Sequence, residues 1–322
     1  MQRLTTLLLL ASLLAACRGA PAPIPSQTPA SLDLNYQADT PTTVPNPVPS
    51  DTATPPAGPW QLVAVHNVNQ NVMAAGFLTE DYGITAGTAP GLMFTTTDGG
   101  SHWVEGTNQS DCRYGIDIVD TRVGWTSGGA MNVRRSTDSG ANWLPVSDYG
   151  LGTTKPFHTI SFLDDSTGWI ASLYMFGSSR DGGTSWSDVP LPTGLNDISS
   201  VLLVAPDTGF LLDFSGVLYH TQDNGAHWTT AGKLDLGGLV IPKATYQMSA
   251  MRFSDREHGL VVVSEAYQQG NVKAFHTSDG GLTWTSELVP VASGPVFISR
   301  VEPLLTVLDG ADLMTVVRYT GK

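Results

Sequence analysis

The residues most open to a chemical reading are five aspartates, each set in the same eight-residue string. The copies are TTDGGSHW (96–103), STDSGANW (136–143), SRDGGTSW (179–186), TQDNGAHW (221–228) and TSDGGLTW (277–284). Two carboxylates flanking one bond can act as acid and base, but they must lie within about 10 Å of each other. Asp98, Asp138, Asp181, Asp223 and Asp279 are separated by 40, 43, 42 and 56 residues, one to each copy of a repeated unit. That spacing predicts a mechanical role. An Asp in a tight turn accepts hydrogen bonds from backbone N–H groups ahead of it, and a Ser or Thr two places earlier does similar work. The Gly two places later supplies a backbone angle that other residues resist. Trp103, Trp143, Trp186, Trp228 and Trp284 close each string with a large flat wedge.

Other reactive side chains are isolated. His102 and His227 fall singly in separate copies, so no metal site is predicted, and no catalytic residue or cofactor is assigned. Cys112 has no His at motif spacing and reads as a small buried apolar residue. One group is of more interest. Aligned on a downstream Gly-Trp, CRYGIDI (112–118) matches PFHTISF (156–162), and QMSAMRF (247–253) falls in the same frame. The polar residues of these segments differ between copies: Arg113, Tyr114, Asp117, His158, Ser199 and Arg252. A repeated architecture does not dictate residues that differ at equivalent positions. They are therefore the candidate ligand mouth, suited to a sugar or a carboxylate.

The elements that must position these residues follow from the period. Upstream of each string lies EDYGI (80–84), DTRVGW (120–125), DDSTGW (164–169), PDTGF (206–210) or DREHGL (255–260). Trp125 and Trp169 share this column with Ile84, Phe210 and Leu260, which favours packing between units over sugar stacking. Short runs such as ISFL, VLLV and LVVV, bounded by turn residues, read as strands, and no segment holds a helical period. About four strands every 40–43 residues is the layout of a β-propeller blade.

These strings resemble the Asp-box (BNR) repeat of sialidases, xyloglucanase-type glycoside hydrolases and sortilin-like receptors. The longer GW…TTDGGxxW unit is most similar to propellers of the photosystem II assembly-factor type. The resemblance implies an all-β fold, a single propeller of four-stranded antiparallel blades, with the Asp box on the outer hairpin and away from the ligand face. Trp60 precedes Ile84 by 24 residues, as Trp103, Trp143 and Trp186 precede their next column by 22, 26 and 24. The strand near 60–66 is therefore expected to complete a sixth blade with residues near 295–320. Seven blades, usual in the assembly-factor family, is the alternative.

Composition bounds the role. The 322 residues carry 16 Lys+Arg against 29 Asp+Glu, a formal net charge of −13. Residues 59–322 hold 14 basic and 26 acidic side chains, which argues against a nucleic-acid partner. Residues 1–16 have the layout of an export signal, and LAAC (14–17) resembles a bacterial lipobox, which implies a lipid on Cys17. A lipidated Cys17 would leave Cys112 no intrachain partner. Residues 17–58 are rich in Pro, Thr and Ala and read as a disordered tether, leaving 59–322 as the propeller. The expected protein is exported and anchored to a bacterial membrane by lipid alone, facing the periplasm or the outside. Its expected role is that of a non-enzymatic scaffold for another envelope protein or complex. The alternatives are a polysaccharide-binding lectin and a sialidase- or xyloglucanase-like glycoside hydrolase. Two insertions in the fifth repeat, 229–247 and 264–271, are the candidate docking surface.

Overall fold

The computed structural model describes residues 58–67, 72–87, 93–106, 112–129, 132–148, 156–244, 247–265, 271–309 and 313–321. They form six four-stranded antiparallel sheets, with no α-helix among the described residues. Each of five blades is a meander whose strands follow chain order from the centre outwards. They run through Val72–Glu105, Arg113–Asp148, Thr159–Asp188, Ile198–Lys233 and Ser249–Val289. The innermost strands, such as Arg113–Ile118 and Thr159–Phe162, neighbour one another in sequence around a closed ring. The structure is thus a six-bladed propeller, and the seven-blade alternative falls away.

The sixth blade joins the two ends of the described chain. Its inner three strands are Val296–Ile298, Leu304–Asp309 and Leu313–Tyr319, and its outermost strand is Trp60–Asn67. Trp60 pairs with Tyr319 and Asn67 with Leu313, with a bulge between Leu62 and Ala64. The amide and hydroxyl of Thr320 both donate to the Pro59 carbonyl. Trp60 starts its outer strand where the box Trp residues start theirs. Its indole donates to Glu287 of the fifth blade at 2.8 Å and packs on Tyr319.

Apolar side chains fill the seams between blades, not the faces of isolated sheets. Trp125 lies flat on Phe162 of the next blade, with ring centroids 3.8 Å apart, and its indole donates to the Gly182 carbonyl. Trp169 repeats the arrangement one blade on, donating to Asn224 Oδ1 at 2.8 Å. The column containing these two residues therefore packs each blade onto the next turn. The seam between the first and last blades unites Phe77 with Leu308 and Met314.

The repeated turn between third and fourth strands is the same in all five copies. Thr96 Oγ1 donates to Asp98 Oδ1 and accepts from Gly100 N, while His102 N donates to Asp98 Oδ1. The equivalent Asp138, Asp181, Asp223 and Asp279 accept the amides of Asn142, Ser185, His227 and Thr283. The glycine two places on has φ between 83° and 96° in every copy, the left-handed region where a side chain is strained. At Gly225 a Cβ would also run into Val189 of the preceding blade. These bonds hold the carboxylates ionised: Asp98, Asp223 and Asp279 are each lowered to about 2.

If ring closure rests on the amino-terminal strand, Trp60→Ala should cost about 3 kcal/mol by equilibrium urea unfolding. Leu62→Ala, at a half-exposed position of the same strand, should cost well under 1 kcal/mol. Equal effects would contradict the closure.

Candidate functional site

The six inner strands surround a channel, and polar side chains on them meet the next strand round. Asp117 and Ser161 occupy equivalent positions. Each accepts a backbone N–H from the following blade, Asp117 from Phe162 and Ser161 from Leu203 at 3.1 Å. At the strand openings the polar groups are sealed in. Ser199, Ser249 and Ser200 form a buried hydroxyl chain, and His158 Nε2 meets the Ser199 carbonyl at 3.2 Å. Burial lowers the His158 pKa to about 4, so the ring is neutral at physiological pH.

Exposure rises towards the other ends of these strands. There a cavity of about 230 Å³ is bounded by Asp117, Ser161, Gln247, Arg252 and Arg300 together with aliphatic side chains. Arg300 follows the inner strand of the sixth blade and reaches across to the second. Its guanidinium donates to Asp117 Oδ2 at 2.9 Å and contacts Ser161 Oγ of the third blade at 3.5 Å. The pair also borders a smaller cavity lined by Phe77, Ile118 and Ser299. Burial raises the Asp117 pKa, an effect the adjoining Arg300 opposes. Arg252 differs: its one described hydrogen bond runs to the Val301 carbonyl at 3.4 Å, and burial lowers its pKa.

Of the candidate ligand-mouth residues, the structure brings Asp117 and Arg252 to one cavity. Arg113, Tyr114 and His158 are instead buried at the strand openings, and Arg113 donates to the Asn132 carbonyl. These three do not border the cavity. Arg300 and Gln247 are site residues that the sequence reading missed. Arg300 lies in the composite blade, which has no repeat string to set its register, whereas Gln247 stood in the QMSAMRF segment that had been aligned. Cys112 is buried as expected. Cys17 lies outside the described residues. Among the described residues no group of His, Cys, Asp and Glu is placed to hold a metal ion.

Comparison with known proteins gives three findings. Residues 107–241, which span the second to fourth blades and less than half the chain, match the family model for photosynthesis system II assembly factor YCF48. A curated relative, photosystem II assembly lipoprotein Ycf48 of Synechococcus sp. (strain CC9902), is 28% identical over 170 residues. That match spans 51% of this chain and 45% of the relative, so about half of each. YCF48 from Cyanidioschyzon merolae aligns at a TM-score of 0.50 and 13% identity, covering 80% of this chain and 98% of that one. The GH74 xyloglucanase of Xanthomonas campestris aligns at 0.50 and 15% identity, covering 76% and 44%.

One prediction concerns the buried imidazole. Its folded pKa lies below the unfolded value of 6.5, so the unfolded chain takes up the proton first. The His158 contribution is complete above about pH 6.5 and is lost as pH falls towards 4, by about 3 kcal/mol in all. Urea unfolding of His158→Gln across this range should show a flatter pH dependence than the parent, and parallel curves would contradict the assignment. The chain is a six-bladed β-propeller whose central blades are similar to the photosystem II assembly-factor family.

Proposed function

We propose that this protein is a membrane-anchored, non-enzymatic scaffold that uses its propeller to hold an envelope protein or complex during assembly. The observation that carries this reading is the family match across the second to fourth blades. The relative from Synechococcus, which is named an assembly lipoprotein, supports both the role and the anchor. The cavity supports it from the other side. Its one described carboxylate, Asp117, is already committed to Arg300 and the Phe162 amide, whereas glycoside hydrolysis needs a second acid nearby. The likeness to a xyloglucanase concerns the fold alone, and a fold does not fix an activity.

The first insertion of the fifth repeat is the proposed docking surface. It is anchored: Leu234 and Ile241 are buried, Lys243 pairs with Asp197 at 2.7 Å, and Lys273 donates to the Asp235 carbonyl. Val240 stands out between these anchors at 68% exposed. The second insertion lies largely outside the described residues. Photo-crosslinking from position 240 in cells should trap one abundant protein, and crosslinking from Val104 on the first blade should not. Recovery of polysaccharide, or of nothing, from both positions would overturn the scaffold reading.

The anchor has its own test at Cys17. Mass spectrometry of the membrane-extracted protein should find a diacylglyceryl group on a peptide beginning at Cys17. A peptide joining Cys17 to Cys112 would contradict the anchor.

A further inference from the structure

The channel cavity is one anion short. Two guanidinium groups, Arg252 and Arg300, border it with one carboxylate, Asp117, and that carboxylate is bound to Arg300. Such a cationic excess stands out in a chain of net charge −13. Arg252 is partly desolvated, and its only described hydrogen bond is a long one to a carbonyl, leaving most of a five-donor fork unused. Gln247, at the opposite end of the same cavity, is 9% exposed, and its Oε1 is buried without a hydrogen-bond partner. A buried acceptor left unsatisfied costs about 1–3 kcal/mol, which a donor on a bound molecule would recover. Between the two ends apolar residues contribute part of the wall, among them Ile160, Val201, Leu203, Met251 and Phe297.

The separation sets the length of the occupant. Gln247 precedes the inner strand Ser249–Phe253 and Arg252 lies near its end, a backbone run of at most about 16 Å. The cavity, at about 230 Å³, is many times the 10–15 Å³ that one water needs. We infer that the channel binds an elongated organic monoacid. Its carboxylate meets Arg252 beside the Arg300–Asp117 pair, an apolar body lies along the channel, and a hydrogen-bond donor at the far end meets Gln247. This goes beyond the scaffold reading and does not depend on the identity of any protein partner. A carboxylate on Arg gains a bidentate, charge-assisted contact. An apolar chain on aliphatic walls adds burial in proportion to its area.

The test is isothermal titration calorimetry of the purified full chain with three linear probes: ω-hydroxydecanoate, decanoate and decanediol. Binding should rank in that order, with the diol weaker than decanoate by at least about tenfold. Arg252→Met should bring both acids down to the level of the diol, and Arg252→Lys should restore part of the loss. Gln247→Leu should bring the hydroxy acid down to decanoate while leaving decanoate unchanged. Unchanged thermal unfolding of each variant would show that the losses are local. The inference is overturned if the diol matches the acids, if Arg252→Met binds decanoate as the parent does, or if no probe binds the parent chain.

Discussion

The pairing of Trp60–Asn67 with Leu313–Tyr319 is the constraint on which the rest of the molecule depends. A ring of sheets has no stable partial form in which every seam is filled, because an open ring exposes the apolar faces of its first and last blades. Here those faces carry Phe77 on one side and Leu308 and Met314 on the other. Closing the sixth blade with a strand from the far end of the chain buries both and also covers an edge that would otherwise be open to pairing. The Trp60–Glu287 hydrogen bond ties the same strand to the fifth blade. Only once the ring is closed does Arg300 come opposite Asp117. The channel chemistry is therefore a consequence of closure and not of any one blade.

The same interaction explains what the sequence revealed and what it hid. The five Asp turns were legible because each is complete within eight residues, with donor, acceptor and left-handed glycine all local. The blade count followed from Trp60, whose spacing to Ile84 matches the spacing in the other units. The channel was only half legible. Alignment found Asp117 and Arg252, but not the burial of His158, which depends on a contact to Ser199 across 41 residues. Arg300 was hidden because its blade has no repeat string, and its partner lies 183 residues away.

Charge separates the two surfaces that function could use. The turns on the outer hairpins carry carboxylates held ionised by local hydrogen bonds, in keeping with a protein that is acidic throughout. The channel reverses the sign at one place, where the second guanidinium has no carboxylate of its own. The assembly factor from Cyanidioschyzon merolae and the Xanthomonas xyloglucanase share this fold at equal TM-scores, so the architecture favours neither role. Among the described residues the channel cavity has one carboxylate, Asp117, and it ties the second blade to the sixth through Arg300.

Native-state hydrogen exchange of the sixth blade is the most direct test of the closure. The account predicts that paired amides of Trp60–Asn67 and Leu313–Tyr319 exchange only through global unfolding. Their denaturant dependence should equal that of Ile170 and Leu211, which lie within the third and fourth blades. Exchange of the sixth blade through a local opening, while those inner amides remain protected, would contradict it.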